Sequence, residues 1–502
     1  MKRQFKIAIH RASQLLALVG PLAGCSLAPP YTVPQTILPT SYKGTGPFVL
    51  ARPDDQLAHG PWWEVFQNQD LDKLEKELDT SNPSLKAVQE TYTQARDVVG
   101  ETRSQLFPQL NAQAFGTDNG LSQHALFHSS TTAPLEESSL GYGAAATWEP
   151  DLWGAIRNRT NYAKANAQAT AAMVASARLS LEMQLASNYM MLRGLDAQHA
   201  LYTNTIASYN EAVKITKLRY GGNIGAGLDV ERSENQLAAA QAADTDIVAK
   251  RAVLEHAIAV LAGENPSTFA LPSEDLKDLT IPVVPVGVPS ELLQRRPDIA
   301  AAERRMAAAN AAVGVARAAF YPNIQLGANF GFEDNGLALA ALPESLWTVG
   351  ASAMLPLFEG GLLKAELQQS WSVEHQAADN YRATVLQGFR EVEDQLSLTN
   401  NLATEYKQQQ HAVTTALKVQ GIAMQLYTSG LDNYLNVTVA QIAALNAELA
   451  AVQVHARRLQ AAVELVGAIG GGWTTQDMPT PTQTVPFSPL AVHSSTGDVH
   501  EP

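Results

Sequence analysis

The sequence holds a single cysteine, Cys25, in 502 residues. That scarcity excludes a disulfide framework and any cysteine-rich zinc site. Basic residues are also few, 35 Lys and Arg against 49 Asp and Glu, for a formal charge of −14. A nucleic-acid binder carries a basic face, so no nucleic-acid partner is expected. Nowhere do 18 or more apolar residues run consecutively, so no membrane-spanning helix is expected. Proline numbers 26 but is missing from 151–265 and again from 357–478. Such gaps mark uninterrupted helices, because proline removes a backbone donor and clashes inside a helix. With 46% hydrophobic residues there is ample material for a large core and little room for disorder over most of the chain.

The compartment is written at the N-terminus. Residues 1–24 carry Lys2, Arg3, Lys6 and Arg11, no acid, and a short apolar run from Leu15 to Val19. A charged start, a short apolar run and small residues before a cut site describe a signal peptide. Leu22-Ala23-Gly24-Cys25 resembles the bacterial lipobox, which implies a lipidated (palmitate-bearing) Cys25 as the first mature residue. Ser26, rather than Asp, follows it; in lipoproteins similar to this one that implies sorting to the outer membrane. One acyl chain is a weak anchor, so further chains or an inserted element are expected to help.

The chain then repeats itself. Asp151-Leu152-Trp153-Gly154 lies 207 positions before Phe358-Glu359-Gly360-Gly361, and the same offset joins Tyr220 to Tyr427, Leu228 to Leu435, Val230 to Val437 and Gly263 to Gly470. Upstream, Phe107-Pro108 matches Tyr321-Pro322 at an offset of 214, so one inter-strand loop differs by seven residues. Within the first proline gap, apolar residues recur in heptads at Leu181, Leu185, Leu192, Leu195, Tyr202, Ile206 and Tyr209; the second gap repeats this at Val385, Phe389, Val392, Leu396, Tyr406 and Val413. Heptads rich in Ala suit many closely packed helices. Gly154 to Tyr220 predicts a helix of about 100 Å at ~1.5 Å per residue. The glycines from Gly221 to Gly227 turn the chain into a shorter return helix over about 229–262, and the second half does the same around Gly430. Each half is therefore a strand pair followed by a long helical hairpin.

The strands show period-two alternation. Ile324, Leu326, Ala328, Phe330 and Phe332 alternate with Asn and Gly, and Trp347, Val349, Ala351, Ala353 and Leu355 with Thr, Gly and Ser. The first half offers Leu110, Ala112 and Ala114, then Leu140, Tyr142, Ala144, Ala146 and Trp148. A half-buried soluble sheet shows the same pattern; the small residues, aromatic ends and lipoprotein signal favour a membrane barrel. Four strands are too few to close one, so several copies must contribute.

The organisation reads as a signal peptide over 1–24, an extended lipidated segment over 25–60, a first repeat over 61–265, a connector over 266–290, a second repeat over 291–474 and a disordered tail over 475–502. Shorter amphipathic helices are expected from Trp62 to Arg96 and from Arg296 to Ala319.

Five motifs carry a family resemblance: Trp62-Trp63-Glu64-Val65-Phe66, Trp148-Glu149-Pro150-Asp151-Leu152-Trp153-Gly154, Arg295-Arg296-Pro297-Asp298-Ile299, Phe320-Tyr321-Pro322 and Pro356-Leu357-Phe358-Glu359-Gly360-Gly361. Together they resemble the TolC-like outer membrane factors, in particular their NodT-type lipoprotein branch. The resemblance implies a mainly α protein with membrane β strands, a homotrimer forming a twelve-stranded β-barrel in the outer membrane and a helical tunnel in the periplasm. It also implies docking to a periplasmic adaptor and an inner-membrane pump of the resistance-nodulation-division class. The implied function is the exit duct of an efflux system, passive and gated. A type I protein-secretion duct and a structural tether spanning the periplasm are the alternatives, and a tether needs no barrel strands.

In family members similar to this one, acids and tyrosines at the hairpin turns close the tunnel. Asp432, in Ser429-Gly430-Leu431-Asp432-Asn433-Tyr434-Leu435, is similar to the constriction motif, and three copies would ring a narrow aperture with acids that favour cations. Asp229 takes the place of Asn436 across the repeat. Tyr220 and Tyr427 are expected to hydrogen-bond across neighbouring hairpins. The sequence departs from the pattern at Thr438-Val439-Ala440-Gln441-Ile442, where an acid and a base are missing. For Asp432 and Asp229 the alternative role is a helix N-cap.

Other sites are not expected. Gly221–Gly227 lacks the Lys-Ser/Thr and the preceding strand of a phosphate loop. His124 and His128 are four apart but have no third ligand nearby, so no metal is assigned. No nucleophile–base pair is recognisable, and neither enzyme activity nor a cofactor is expected.

Overall fold

A computed structural model describes residues 26–34, 39, 42–43, 60–120, 136–274, 276, 279–282, 292–334 and 345–486. Cys25, the signal peptide, His124 and His128 lie outside these residues. Each repeat opens with short helices. A 3-10 turn over Trp62–Phe66 leads into α1 (Gln69–Ser81) and α2 (Pro83–Ser104). Instead of one helix to Arg96, the chain breaks at Asn82. Pro83 has no N–H to offer the preceding turn, so Asn82 is extended and caps α2 by accepting from Leu85 N at 2.9 Å.

Strands β1 (Gln109–Gly120) and β2 (Glu136–Trp148) follow, then helix α3 (Ala155–Gly221) and its return α4 (Gly227–Ala262). The second repeat runs through α5 (Pro297–Ala318), β3 (Asn323–Asp334), β4 (Ser345–Met354), α6 (Leu362–Thr428) and α7 (Tyr434–Ala468). The correspondence is close: α3 and α6 each have 67 residues, α2 and α5 each 22, α4 and α7 36 and 35. Gly154 and Gly361 both adopt left-handed φ at the start of the long helices, 75° and 94°.

The four strands form one antiparallel sheet in the order β1-β2-β3-β4. The repeats meet at the β2–β3 ladder, with Trp148 opposite Leu326 and Ala144 opposite Phe330. Among the described residues, the outer edges of the sheet, on β1 and β4, have no second strand partner.

The main core sits at mid-height on the helices, where Trp62, Phe66, Leu71 and Leu78 pack on Leu185, Leu192, Ile258, Leu459 and Val466. Two glycines fix how the hairpins end there. Gly263 (φ 77°) lies against the Ser81 backbone, where a Cβ would approach to 2.8 Å; Gly470 (φ 103°) lies against the Arg295 carbonyl, where it would approach to 2.1 Å. Neither position admits a side chain. Helix α7 has the length and mean hydropathy to cross a bilayer, yet it carries Arg457 and Arg458 and forms one arm of the second hairpin.

Part of the expected disordered tail is placed. Thr475–Asp477 forms a 3-10 turn with a capping box, Gln168 donates to the Pro479 carbonyl at 2.8 Å, and Val485 packs on Val99 and Ala163. A short apolar contact, not composition, decides this stretch. Residues 487–502 lie outside the described residues.

Candidate functional site at the hairpin tips

Both long helices end in a tight turn. After α3, Ile224 N bonds the Arg219 carbonyl at 3.0 Å; after α6, Leu431 N bonds the Leu426 carbonyl at 2.9 Å. Gly430 supplies the left-handed φ of 74° that the second turn needs, and Asn223 the φ of 55° in the first. These closed turns bring the two tips of one chain together.

At their contact, Ala212 of α3 meets Ala423 and Tyr427 of α6 and Tyr434, Val437 and Ala440 of α7, all buried. Tyr427 and Tyr434 pack edge to face with ring centres 5.2 Å apart. The Arg219 guanidinium lies 4.7 Å from the Tyr427 ring centre and donates to the Thr428 carbonyl at 3.3 Å. A cation on an aromatic face contributes about 0.5–1 kcal/mol when exposed and more when desolvated. Burial pushes the Tyr427 and Tyr434 hydroxyls up, Tyr434 to about 12. The Asp229 carboxylate adds to both shifts, which places this acid beside the pair.

Asp432 is partly exposed and accepts from both sides of its turn: Asn436 Nδ2 at 2.8 and 2.9 Å, and Asn433 N at 2.7 Å. These donors, Asn436 first, hold its carboxyl below the usual carboxylate range. It is therefore an ionised acid at the end of the molecule.

Several expectations change here. Neither acid is an N-cap: Asn433 caps α7 by accepting from Asn436 N, and α4 begins after Ala226 with no side-chain cap. Asp229 instead sits in the first turn of α4, where a negative charge suits the helix dipole. Tyr220 and Tyr427 do not play matching roles. Tyr427 is 3% exposed, its hydroxyl has no hydrogen-bond partner among the described residues, and its ring makes the contacts. Tyr220 is 56% exposed and lies over its own turn, near Gly227. The difference arises because Tyr434 occupies, in the second repeat, the place that Gly227 holds in the first. Sequence reasoning missed Arg219, an arginine one residue before Tyr220 that the neighbouring Lys214 and Lys217 make inconspicuous.

At the opposite end of α3, the N-terminal segment is pinned. Ser26 Oγ donates to Asn158 Oδ1 at 2.8 Å, Asn310 donates to the Pro29 carbonyl at 3.0 Å and Arg317 to the Leu27 carbonyl at 3.2 Å. Asn158 is in the first turn of α3, just below the sheet, so the chain reaches residue 26 at the sheet's lower edge.

A single-sheet barrel segment on long helical hairpins defines the class of outer-membrane channels. The family model described as outer membrane efflux protein matches residues 74–264 and 288–471, and the chain belongs to that family. Among its relatives, outer membrane protein OprJ of Pseudomonas aeruginosa is 28% identical over 470 residues, covering 93% of this chain and 97% of OprJ. The solvent efflux pump outer membrane protein SrpC of Pseudomonas putida is 28% identical over 463 residues, 90% of this chain and 96% of SrpC. Among solved structures, the outer-membrane channel OprN aligns with TM-score 0.83 at 26% identity over 89% of this chain and 100% of OprN. VceC of Vibrio cholerae aligns with TM-score 0.75 at 25% identity over 82% of this chain and 98% of VceC. The protein is thus an outer-membrane component of an efflux system, with its helical hairpins in the periplasm.

Proposed function

We propose that the chain forms, as a lipidated homotrimer, the passive exit duct of a tripartite efflux system. A periplasmic adaptor and an inner-membrane pump of the resistance-nodulation-division class deliver small molecules to it, and the hairpin tips gate it. The observation that carries the gate is Asp432, an ionised, partly exposed carboxylate on a turn that the contact of Arg219 with Tyr427 holds in place. Three copies place three acids around one aperture, which favours cations and disfavours free leakage. Asp229, Tyr220, Tyr427 and Asn436 shape the same end. Lipidation at Cys25 fits the pinning of Ser26 beneath the sheet, since acyl chains attached one residue earlier would start beside the membrane-embedded strands.

Relatives are named for antibiotic, toluene and pyoverdine export. One duct design serving such different compounds supports a reading in which selectivity resides upstream, in the pump. Single-channel recording in a planar bilayer tests the reading. Small, cation-selective currents are expected from the parent, and larger, less selective ones from Asp432→Ala. Currents that ignore the substitution would remove Asp432 from the gate. No current from intact trimers would replace the duct with a tether.

A further inference from the structure

The sheet has one face for lipid and one for the duct, and the one aromatic ring of β1 lies on the second. Along β1, Leu110, Ala112 and Ala114 alternate with Gln109, Asn111 and Gln113. Pairing carries these rows across the sheet. Leu110, Ala146, Ala328 and Val349 share one face, whereas Gln113 stands level with Gly143, Gly331 and Leu346 on the other. In a membrane barrel the apolar face meets lipid and the polar face lines the lumen. Phe115 falls in the polar row, between Gln113 and Thr117.

The Phe115 ring does not stand upright. Its partner on β2 is Gly141, and a Cβ built there would lie 2.5 Å from Phe115 Cζ and 2.8 Å from Cε1. The ring therefore leans across β2 into the space that a side chain at 141 would fill, yet it remains 41% exposed. Beside it the wall is bare, because the next row holds Gly143 and Gly331. The row of Phe115 and Gly141 continues to Glu333 on β3, an exposed acid whose Oε1 accepts from Ser139 Oγ at 2.6 Å. Strands β1 and β3 are about 10 Å apart, two spacings of ~4.8 Å. With the ring leaning over the strand between them, an aromatic face and a carboxylate mark the two ends of one short shelf.

We propose that Phe115, Gly141 and Glu333 form a contact site for planar aromatic cations on the inner wall of the barrel. This rests on the trimeric duct reading above, under which three such sites share one height in the lumen. A flat cation stacks on the open face of Phe115 and turns its charge toward Glu333. Gly141 is a positioning residue, since a side chain there lifts the ring from the wall. Solutes meet this site after delivery by the pump, so it acts on passage and not on selection.

Ethidium, a planar aromatic cation, tests the site, with tetraethylammonium as a cation that has no ring. Full-length protein is recorded in a planar bilayer, with either cation added at the sheet end of the duct, and the concentration that halves the current is measured. Native mass confirms that each variant is a trimer. Ethidium block of the parent should weaken about two- to fivefold in Phe115→Leu and by a similar factor in Glu333→Gln. Gly141→Ala, which keeps the ring but displaces it, should weaken the block as Phe115→Leu does. Tetraethylammonium block should respond to Glu333→Gln and ignore Phe115→Leu. Asp432 is present in every protein compared, so its attraction for cations cancels. Ethidium block unaltered by Phe115→Leu and Gly141→Ala, in trimers of normal conductance, overturns the site and leaves the duct. Equal weakening of both cations by Phe115→Leu overturns the aromatic contact. Trimers that carry no current overturn the duct reading, and the site with it.

Discussion

Arg219 and Leu426 occupy the same place in the two repeats, one residue before Tyr220 and Tyr427, and they treat their neighbours in opposite ways. Arg219 lies on a buried aromatic ring and bonds the other hairpin's carbonyl; Leu426 is partly exposed. The same divergence recurs at mid-height. Glu182, 5% exposed, accepts from Trp62 Nε1 at 2.9 Å, whereas its counterpart Phe389 is an apolar residue packed on the core. Arg193 is wholly buried among Asp196, Glu274 and Tyr189 and bonds the Pro272 carbonyl at 2.6 Å. Its counterpart is Asn400. Asn82 donates to the Leu261 carbonyl at 2.8 Å and Arg296 to the equivalent Ala468 carbonyl at 3.0 Å, but only Arg296 adds ion pairs, with Asp298 and Glu391 at 2.7 Å. Duplication preserved lengths, turns and anchoring carbonyls. The charged chemistry belongs to one repeat at a time.

The largest test of that divergence is Arg193→Leu. Removing one partner of a buried ionic network costs about 3–5 kcal/mol, because the others stay buried and unpaired. Thermal unfolding in detergent should show a loss of that size, and limited proteolysis should cut the 266–290 connector faster, since Arg193 and Arg251 bond the Pro272 and Leu271 carbonyls. The mid-height anchors come next. Arg296→Met should cost about 2–3 kcal/mol, less than a fully buried network because Asp298 and Glu391 are about one-third exposed. Asn82→Ala removes a cap and one bond, and should cost about 1 kcal/mol. Equal losses at the two sites would show that the added charges contribute nothing.

A pH titration sharpens the same contrast with a smaller effect. Burial pushes Glu182 up to about 7 and Glu75 well above the usual carboxylate range; Asp79 adds to both shifts, and Arg178 and the Trp62 donor oppose the first. A carboxyl raised in the folded state stabilises it at low pH and loses that contribution as pH climbs through the folded value. Unfolding temperature should therefore fall from about pH 5 to pH 7 and level off above it, and Glu182→Gln should flatten that fall. An unchanged slope would remove Glu182 as its source.

Much of this architecture was legible before any coordinates. Proline gaps bounded the long helices because proline cannot sit inside one, and the constant 207-residue offset exposed the duplication because turn glycines and end tyrosines recur at equal heights. Alternation located the strands because lipid and water face opposite sides of each. Less legible was whatever depends on contact between distant segments. The Asn82–Pro83 break hid inside an amphipathic run, and the placement of Val485 rests on Val99 and Ala163. The unequal fates of Tyr220 and Tyr427 follow from Gly227 and Tyr434, which meet those rings only after both hairpins fold. Arg219 escaped notice for the same reason, since its partner is more than 200 residues away.

The proposed gate rests on unlike contacts between the hairpin tips that hold one duct closed. Single-channel conductance of Arg219→Ala beside Leu426→Ala tests it most directly. Losing the Arg219 contact, about 1.4 kcal/mol when its ring contact and carbonyl bond are combined, should raise the open population roughly tenfold. Leu426→Ala should change it much less. Equal conductance in Arg219→Ala and parent would contradict the claim, and a larger rise in Leu426→Ala would reverse it.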